Sequence, residues 1–224
     1  MKLTVPATIW LIALSAAAWG DDLDNRIPAP MLDPAADAAQ EIAVLAGGCF
    51  WGQQALFEHV KGVMKVVAGY SGGTAATATY PQVITETTGH AEAVEITFDP
   101  KQVSFGRLLQ IFLSVAHDPT ERNFQGPDHG TSYRSEIFFG GPGQEKVARA
   151  YISQLQADHI FAKPLVTRIE PLRGFYAAES YHQDYLIHHR TQPYIVINDL
   201  PKLDAFRRVW PDYYRQSPVR LATH

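Results

Sequence analysis

The chain has 224 residues, of which 46% are hydrophobic and 19% charged, enough apolar material for one compact domain with small extensions. A formal net charge of -4 leaves no basic surplus to neutralise phosphate backbones, so sequence-independent nucleic-acid binding is excluded. One cysteine, Cys49, excludes an intramolecular disulfide.

Taken in chain order, Met1 and Lys2 precede an apolar stretch from Leu3 to Trp19 that breaks into Gly20, Asp21 and Asp22. This is the pattern of a secretory signal peptide over residues 1–20, with Ala18 and Gly20 placed for cleavage before Asp21 and Ala16 with Ala18 offering an alternative site. The other reading, an uncleaved anchor, needs about 20 apolar residues. This stretch is shorter and contains Pro6, so no stable membrane anchor is expected and the chain reads as exported, periplasmic or secreted. In an oxidising compartment a lone cysteine marks an intermolecular partner or a reactive thiol, with an inert buried cysteine as the alternative.

Residues 21–40 are rich in Ala, Asp and Pro, and with Pro28, Pro30 and Pro34 they read as a flexible linker. The folded domain, residues 41–224, opens with a strand at Glu41–Ala46, a turn through Gly47 and Gly48, and a helix containing Leu56, Phe57 and Val60. Further strands are expected at Val63–Ala68, at Ala91–Phe98 with its alternating Val94, Ile96 and Phe98, at Ser135–Phe139 and at Val166–Leu172. Helices are expected from a Ser104 cap to Ala116, from Gln144 to His159 and from Ala178 to His188. The alternation predicts an α/β (α+β) fold, a mixed sheet with helices packed as a two-layer sandwich. Two long irregular loops interrupt it, Ser71–His90 and His117–Tyr133, and loops of that length in a compact domain carry function or are disordered.

Cys49 stands where the first strand turns into a helix, so free backbone N–H groups and the helix dipole favour its thiolate and predict a lowered pKa. Phe50 and Trp51 place two aromatic rings beside the sulfur, where an apolar group can dock. Read alone, Glu92 and Asp128 fit solvated surface charges, and Phe50, Trp51, Tyr80 and Tyr133 fit core aromatics. No Cys pair and no His-Glu-x-x-His motif supports a zinc site among the nine histidines.

Gly-Cys-Phe-Trp-Gly at Gly48–Gly52 resembles the signature of the peptide methionine sulfoxide reductase A family. The similarity continues through Gly69–Gly73, Tyr80, Gly89–Val94, the His117–Arg134 segment with Asp128 and Tyr133, and Ala178–Leu186, and it spans about Ile42 to Tyr214. The resemblance implies that Cys49 attacks the sulfoxide sulfur of the S epimer while Glu92 protonates or hydrogen-bonds the oxygen. It implies that Tyr80 and Tyr133 clamp that oxygen, that Phe50 and Trp51 hold the S-methyl group, and that Asp128 positions the substrate. For Glu92 to donate a proton near neutral pH, an apolar pocket must raise its pKa.

Many family members carry resolving cysteines toward the C-terminus, whereas Thr191–His224 has none and Gln192–Lys202 resembles single-cysteine members. The sulfenic acid on Cys49 is then reduced by an external dithiol, such as a thioredoxin-like protein, with no cofactor and no metal. Oxidised proteins or peptides are the implied substrates. Two other functions stand beside this one: a peroxide-reducing or thiol-transfer enzyme, which lacks the expected Cys-x-x-Cys, and an exported binding module, which leaves the Cys-Glu-Tyr-Tyr set without a purpose.

Overall fold

The computed structural model describes residues 26–221. The expected signal peptide lies outside the described residues. Among the described residues no helix is long and apolar enough to cross a membrane.

In chain order the elements are β1 (Glu41–Ala46), α1 (Phe50–Glu58), β2 (Val63–Ser71), α2 (Tyr80–Val83), β3 (Ala91–Phe98), α3 (Phe105–Ile111), β4 (Phe124–Gln125), β5 (Asp128–His129), β6 (Glu136–Phe139), α4 (Pro142–Ala157), β7 (Arg168–Pro171), β8 (Phe175–Ala177), α5 (Tyr185–His188) and α6 (Leu200–Val209). Six strands form one mixed sheet in the order β7-β6-β1-β3-β2-β8, parallel only between β6 and β7, and β4 pairs with β5 in a separate ribbon. The expected mixed sheet with helices on it is the architecture observed.

The faces of the sheet follow from strand period. In β3 alternate side chains point to opposite faces: Val94, Ile96 and Phe98 enter the main core with Leu56, Phe57, Leu108, Leu109, Tyr151 and Phe206 from the helices, while Ala91 and Ala93 face the other side with Val44, Ala46 and Phe138. Leu172 and Phe175, from the segment around β8, pack against that second face. Glu92 is in phase with Val94 and Ile96, so it points into the helical layer at the end of its strand. In the pairing of β1 with β3, Leu45 lies across from Val94; two residues further on, the turn before Cys49 comes alongside Glu92.

Helix α1 is buried on nearly every side, including Gln53, Gln54 and Glu58, because it is wedged between the sheet, α5 and α6. Ser104 caps α3 as expected, accepting from the Arg107 amide at 3.1 Å. After Ile111 the helix passes into a π turn over Phe112–Ala116, so the expected Ser104–Ala116 helix is two structures end to end.

Two expectations are corrected. The helix expected over Ala178–His188 is a 3-10 turn at Ser180–His182 and the short α5, separated by Asp184 in the left-handed region at φ 52°. Gln183 causes the interruption, because its side-chain amide joins the backbone of Ala68 at 2.8 and 3.0 Å and of Ala178 at 3.0 Å. Nor are residues 26–33 of the expected flexible linker loose. Ile27 is buried, its carbonyl accepts from Gln110 Nε2 at 2.6 Å, Pro28 O accepts from Tyr151 at 2.7 Å and Ala29 O accepts from Gln154 at 2.9 Å. Asp33 accepts from Ser104 Oγ at 2.5 Å and from the Gly106 amide at 3.0 Å. Prolines exclude a helix here, but they also stiffen an extended strap whose carbonyls the helices satisfy.

Candidate active site

Cys49 is the N-cap residue of α1 and is 7% exposed. The turn that delivers it needs Gly48, whose φ is 90° and where a Cβ would sit 2.8 Å from the Gln125 side chain. Gln125 is fixed in turn by Asp118, with its Oε1 accepting from the Asp118 amide at 3.0 Å and its Nε2 donating to the Asp118 carbonyl at 2.7 Å. The His117–Tyr133 loop therefore packs against the cysteine turn rather than away from it.

Glu92 reaches the same point from the sheet. Its Oε2 accepts from the Phe50 backbone amide at 3.0 Å, so the carboxyl occupies a free N–H at the start of α1 beside Cys49. Burial pushes the Glu92 carboxyl up to about 8, overriding the Phe50 hydrogen bond, and Asp128, Glu86 and Asp199 push in the same direction. The proton expected on this group is thus held there near neutral pH.

The expected lowered pKa of Cys49 is corrected. Burial pushes the Cys49 thiol well above its usual range, Glu92 and Asp199 add to the effect, and the hydrogen bond from the Trp51 amide opposes it without prevailing. The helix terminus is present as expected, but it is outweighed by desolvation in a site rich in carboxyl groups. The Cys49 sulfur is therefore held as the thiol near neutral pH.

Around this pair the structure gathers the remaining expected residues. Tyr80 begins α2, its amide tied to Glu179 Oε1 at 2.9 Å, and Tyr133 ends a 3-10 turn over Thr131–Tyr133. Both phenols are raised, first by burial and then by the charges of Glu92, Cys49 and Asp128, all close by. They stay protonated and able to donate. Phe50, buried, and Trp51 follow Cys49 at the start of α1, and the Asp128 carboxylate accepts from the Tyr194 hydroxyl.

Sequence reading missed four groups. His182 accepts from Trp51 Nε1 at 3.1 Å and lies 5.0 Å from the Phe50 ring and 4.7 Å from Tyr80 between centroids. Because its Nδ1 accepts, it is neutral with the proton on Nε2, and burial lowers its pKa accordingly. Tyr185 stacks on Trp51 at 3.8 Å and Tyr194 meets the same ring edge-on at 5.9 Å, which fixes the indole. Asp199 lies against the first turn of α1, where a Cβ on Gly52 would overlap its carboxylate, and is paired with Lys202 at 3.5 Å. Burial pushes Asp199 up to about 6. Tyr194 and Asp199 belong to Gln192–Lys202, a tract whose resemblance to single-cysteine members singled out neither residue.

Two clefts of about 330 and 300 Å³ lie elsewhere, one lined by Leu155, His159, Phe161 and Leu165 and the other by Arg122, Arg134 and Arg168. Neither touches Cys49. Among the described residues no group of three or more His, Cys, Asp or Glu side chains could hold a metal ion.

The model of the peptide methionine sulfoxide reductase family matches residues 41–214. The chain belongs to the peptide methionine sulfoxide reductase A family. It is 52% identical over 188 residues to peptide methionine sulfoxide reductase MsrA 2 of Mesorhizobium japonicum, covering 84% of this chain and 96% of that one. It is 46% identical over 178 residues to the MsrA of Deinococcus radiodurans, covering 80% and 86%. Among solved structures it resembles reduced Mxr1 of Saccharomyces cerevisiae at TM-score 0.64 and 28% identity, over 75% of this chain and 96% of the other. It also resembles methionine sulfoxide reductase A of Corynebacterium diphtheriae at TM-score 0.58 and 34% identity, over 70% and 78%. The enzyme is a methionine sulfoxide reductase, and its fold is that of the family.

Proposed function

We propose that this reductase acts on the S epimer of methionine sulfoxide, free or in proteins, and that Cys49 becomes a sulfenic acid in the process. The observation that carries the reading is the pairing of a buried thiol with a buried, protonated Glu92 at one helix terminus. A sulfoxide oxygen departs from sulfur only as its growing negative charge is neutralised. Glu92 supplies the proton or hydrogen bond, and Tyr80 and Tyr133 donate to the same oxygen. Cys49 sulfur attacks the sulfoxide sulfur and takes the oxygen, so one thiol and one sulfoxide become one sulfenic acid and one thioether. Proton count is unchanged, since the thiol hydrogen is replaced on Cys49 by O–H.

Phe50 and Trp51 give the S-methyl group an apolar seat, and Asp128, held by Tyr194, orients the substrate backbone. The oxidised cysteine is reduced by an external dithiol of the thioredoxin type. Two thiols return Cys49 to the thiol and yield a disulfide and water. The leader at residues 1–20 supports export to the periplasm or beyond, where the reaction repairs oxidised proteins.

The test is to incubate the enzyme with each epimer of a blocked methionine sulfoxide and dithiothreitol and to measure methionine formed. Turnover is expected with the S epimer alone; equal turnover of the R epimer would overturn the assignment.

A further inference from the structure

The Ser71–His90 loop carries Tyr80 and the His117–Tyr133 loop carries Tyr133, and a single acidic side chain joins them. Glu86 follows α2, with its amide bonded to the Val83 carbonyl at 3.0 Å. Its carboxylate accepts from Ser132 N at 2.8 Å, from Ser132 Oγ at 2.6 Å and from Thr131 Oγ1 at 2.9 Å. Ser132 is buried and directly precedes Tyr133. Gly130 makes room for the contact, since a Cβ there would overlap the Glu86 carboxylate.

The backbone at Glu86 is in the left-handed region, with φ 62°. Glycine or asparagine adopts that conformation at less cost, and the hydrogen bonds of the Glu86 carboxylate offset the cost here. The side chain cannot be read as a loose surface charge, because three donors from one 3-10 turn converge on it. On the opposite side of that turn, Arg134 Nη1 donates to Thr131 O at 2.8 Å and to His90 O at 3.0 Å, and Nη2 donates to Gly89 O at 3.0 Å. Arg134 anchors the turn to the foot of β3, whereas Glu86 anchors it to the loop of Tyr80. From Tyr80 the connection is short, because the Ile84 amide bonds to the Tyr80 carbonyl at 3.1 Å within α2.

We propose that Glu86 is a positioning residue for the reduction: it ties the Tyr80 loop to the Tyr133 loop and so sets the two hydroxyls at the separation a sulfoxide oxygen needs. This rests on the reading of Tyr80 and Tyr133 as the oxygen clamp. Glu86 also acts at longer range, since its charge is among those that face Glu92. The other groups facing Glu92 are Cys49, Tyr70, Tyr80, Tyr133, Asp128 and Asp199, with the Phe50 amide as its hydrogen-bond donor. Removing one negative charge from this set eases ionisation of Glu92.

The experiment measures single-turnover methionine formation from the S epimer between pH 5 and 10 for the wild type, Glu86→Gln, Ser132→Ala and the double variant, with thermal melting alongside. Glu86→Gln removes the charge but keeps the shape; Ser132→Ala removes one hydroxyl donor from the other loop. Each single variant is expected to slow the chemical step roughly ten- to a hundredfold, the scale of misplaced catalytic groups, with little change in substrate affinity. The double variant is expected to be no slower than the worse single one, because both cut the same link. In Glu86→Gln the alkaline limb set by Glu92 moves to lower pH, whereas in Ser132→Ala it does not, a distinction that a loss of stability alone does not produce. Wild-type rate and wild-type pH profile in Glu86→Gln would overturn the proposal, as would fully multiplicative effects in the double variant. Tyr80→Phe and Tyr133→Phe are measured in the same assay: if both keep the wild-type rate, the clamp itself fails. If they are slow while Glu86→Gln is not, only the positioning role fails.

Discussion

Cys49 is a buried thiol flanked by the carboxyl groups of Glu92, Asp199 and Asp128. In the proposed reaction Cys49 is the nucleophile and Glu92 holds the transferable proton. Glu92→Gln keeps the bond from the Phe50 amide but removes the acid, so single-turnover reduction of the S epimer is expected to slow by roughly two to four powers of ten. Binding, measured as substrate affinity in the same experiment, is expected to change little. Because burial sets Glu92 at about 8, the wild-type rate is expected to fall as pH rises through that value, when the folded protein loses the proton, and this limb is expected to be absent in Glu92→Gln. At this scale the residues that motif and chemistry singled out together, Cys49, Glu92, Tyr80 and Tyr133, lie near one another in the fold. The sequence was misleading for the pKa of Cys49, since the helix terminus is visible in a sequence and the depth of burial is not. Asp199 and Tyr194 were illegible because they are brought to the site by tertiary packing from 150 and 145 residues away, roughly the whole length of the domain.

At the scale of elements, α1 connects the reactive end of the site to a second buried acid. Glu58 closes the helix, is 1% exposed, and burial, followed by the Asp184 carboxyl beside it, raises it to about 10. A carboxyl raised on folding binds its proton more tightly in the folded chain. Its penalty is therefore absent below about pH 4.5 and grows as pH rises toward 10, so stability falls across that window. Glu58→Gln keeps the size of the side chain and removes the ionisation. It is expected to raise the melting temperature by several degrees at pH 8 to 9, at about 2–4 °C per kcal/mol for a domain of this size, and to change it little at pH 5. A uniform shift at all pH values would refute that account of Glu58. Strand period made β1 and β3 readable to the residue, because Val94, Ile96 and Phe98 alternate with the polar Glu95 and Thr97. Helix period failed over Ala178–His188, where apolar spacing suggested a continuous helix but Gln183 bonds the backbone of β2 and breaks it. Nor did α6 emerge, because a tract beginning Leu200-Pro201 after a π turn at Ile195–Asp199 lacks a clear start signal.

Across the whole molecule, residues 26–33 bind the helical layer from outside. The strap puts Ile27 into the core, and Asp33 serves the start of α3 beside Ser104. Asp33→Ala is expected to cost about 1 kcal/mol, the usual value of a lost helix-capping carboxylate, read as a lower urea midpoint with an unchanged slope. Composition could not distinguish a strap from a linker here, since Pro, Ala and Asp suit both and the carbonyl acceptors that decide it are invisible in a sequence. The one-cysteine count, by contrast, is a property of the entire chain and reaches directly to mechanism. Quenched-flow reduction of the S epimer without added thiol, followed by dimedone trapping and mass spectrometry, tests it most directly. The account predicts about one methionine per chain and a dimedone adduct on Cys49. A burst near two methionines per chain, or methionine formed with no adduct on Cys49, would contradict it.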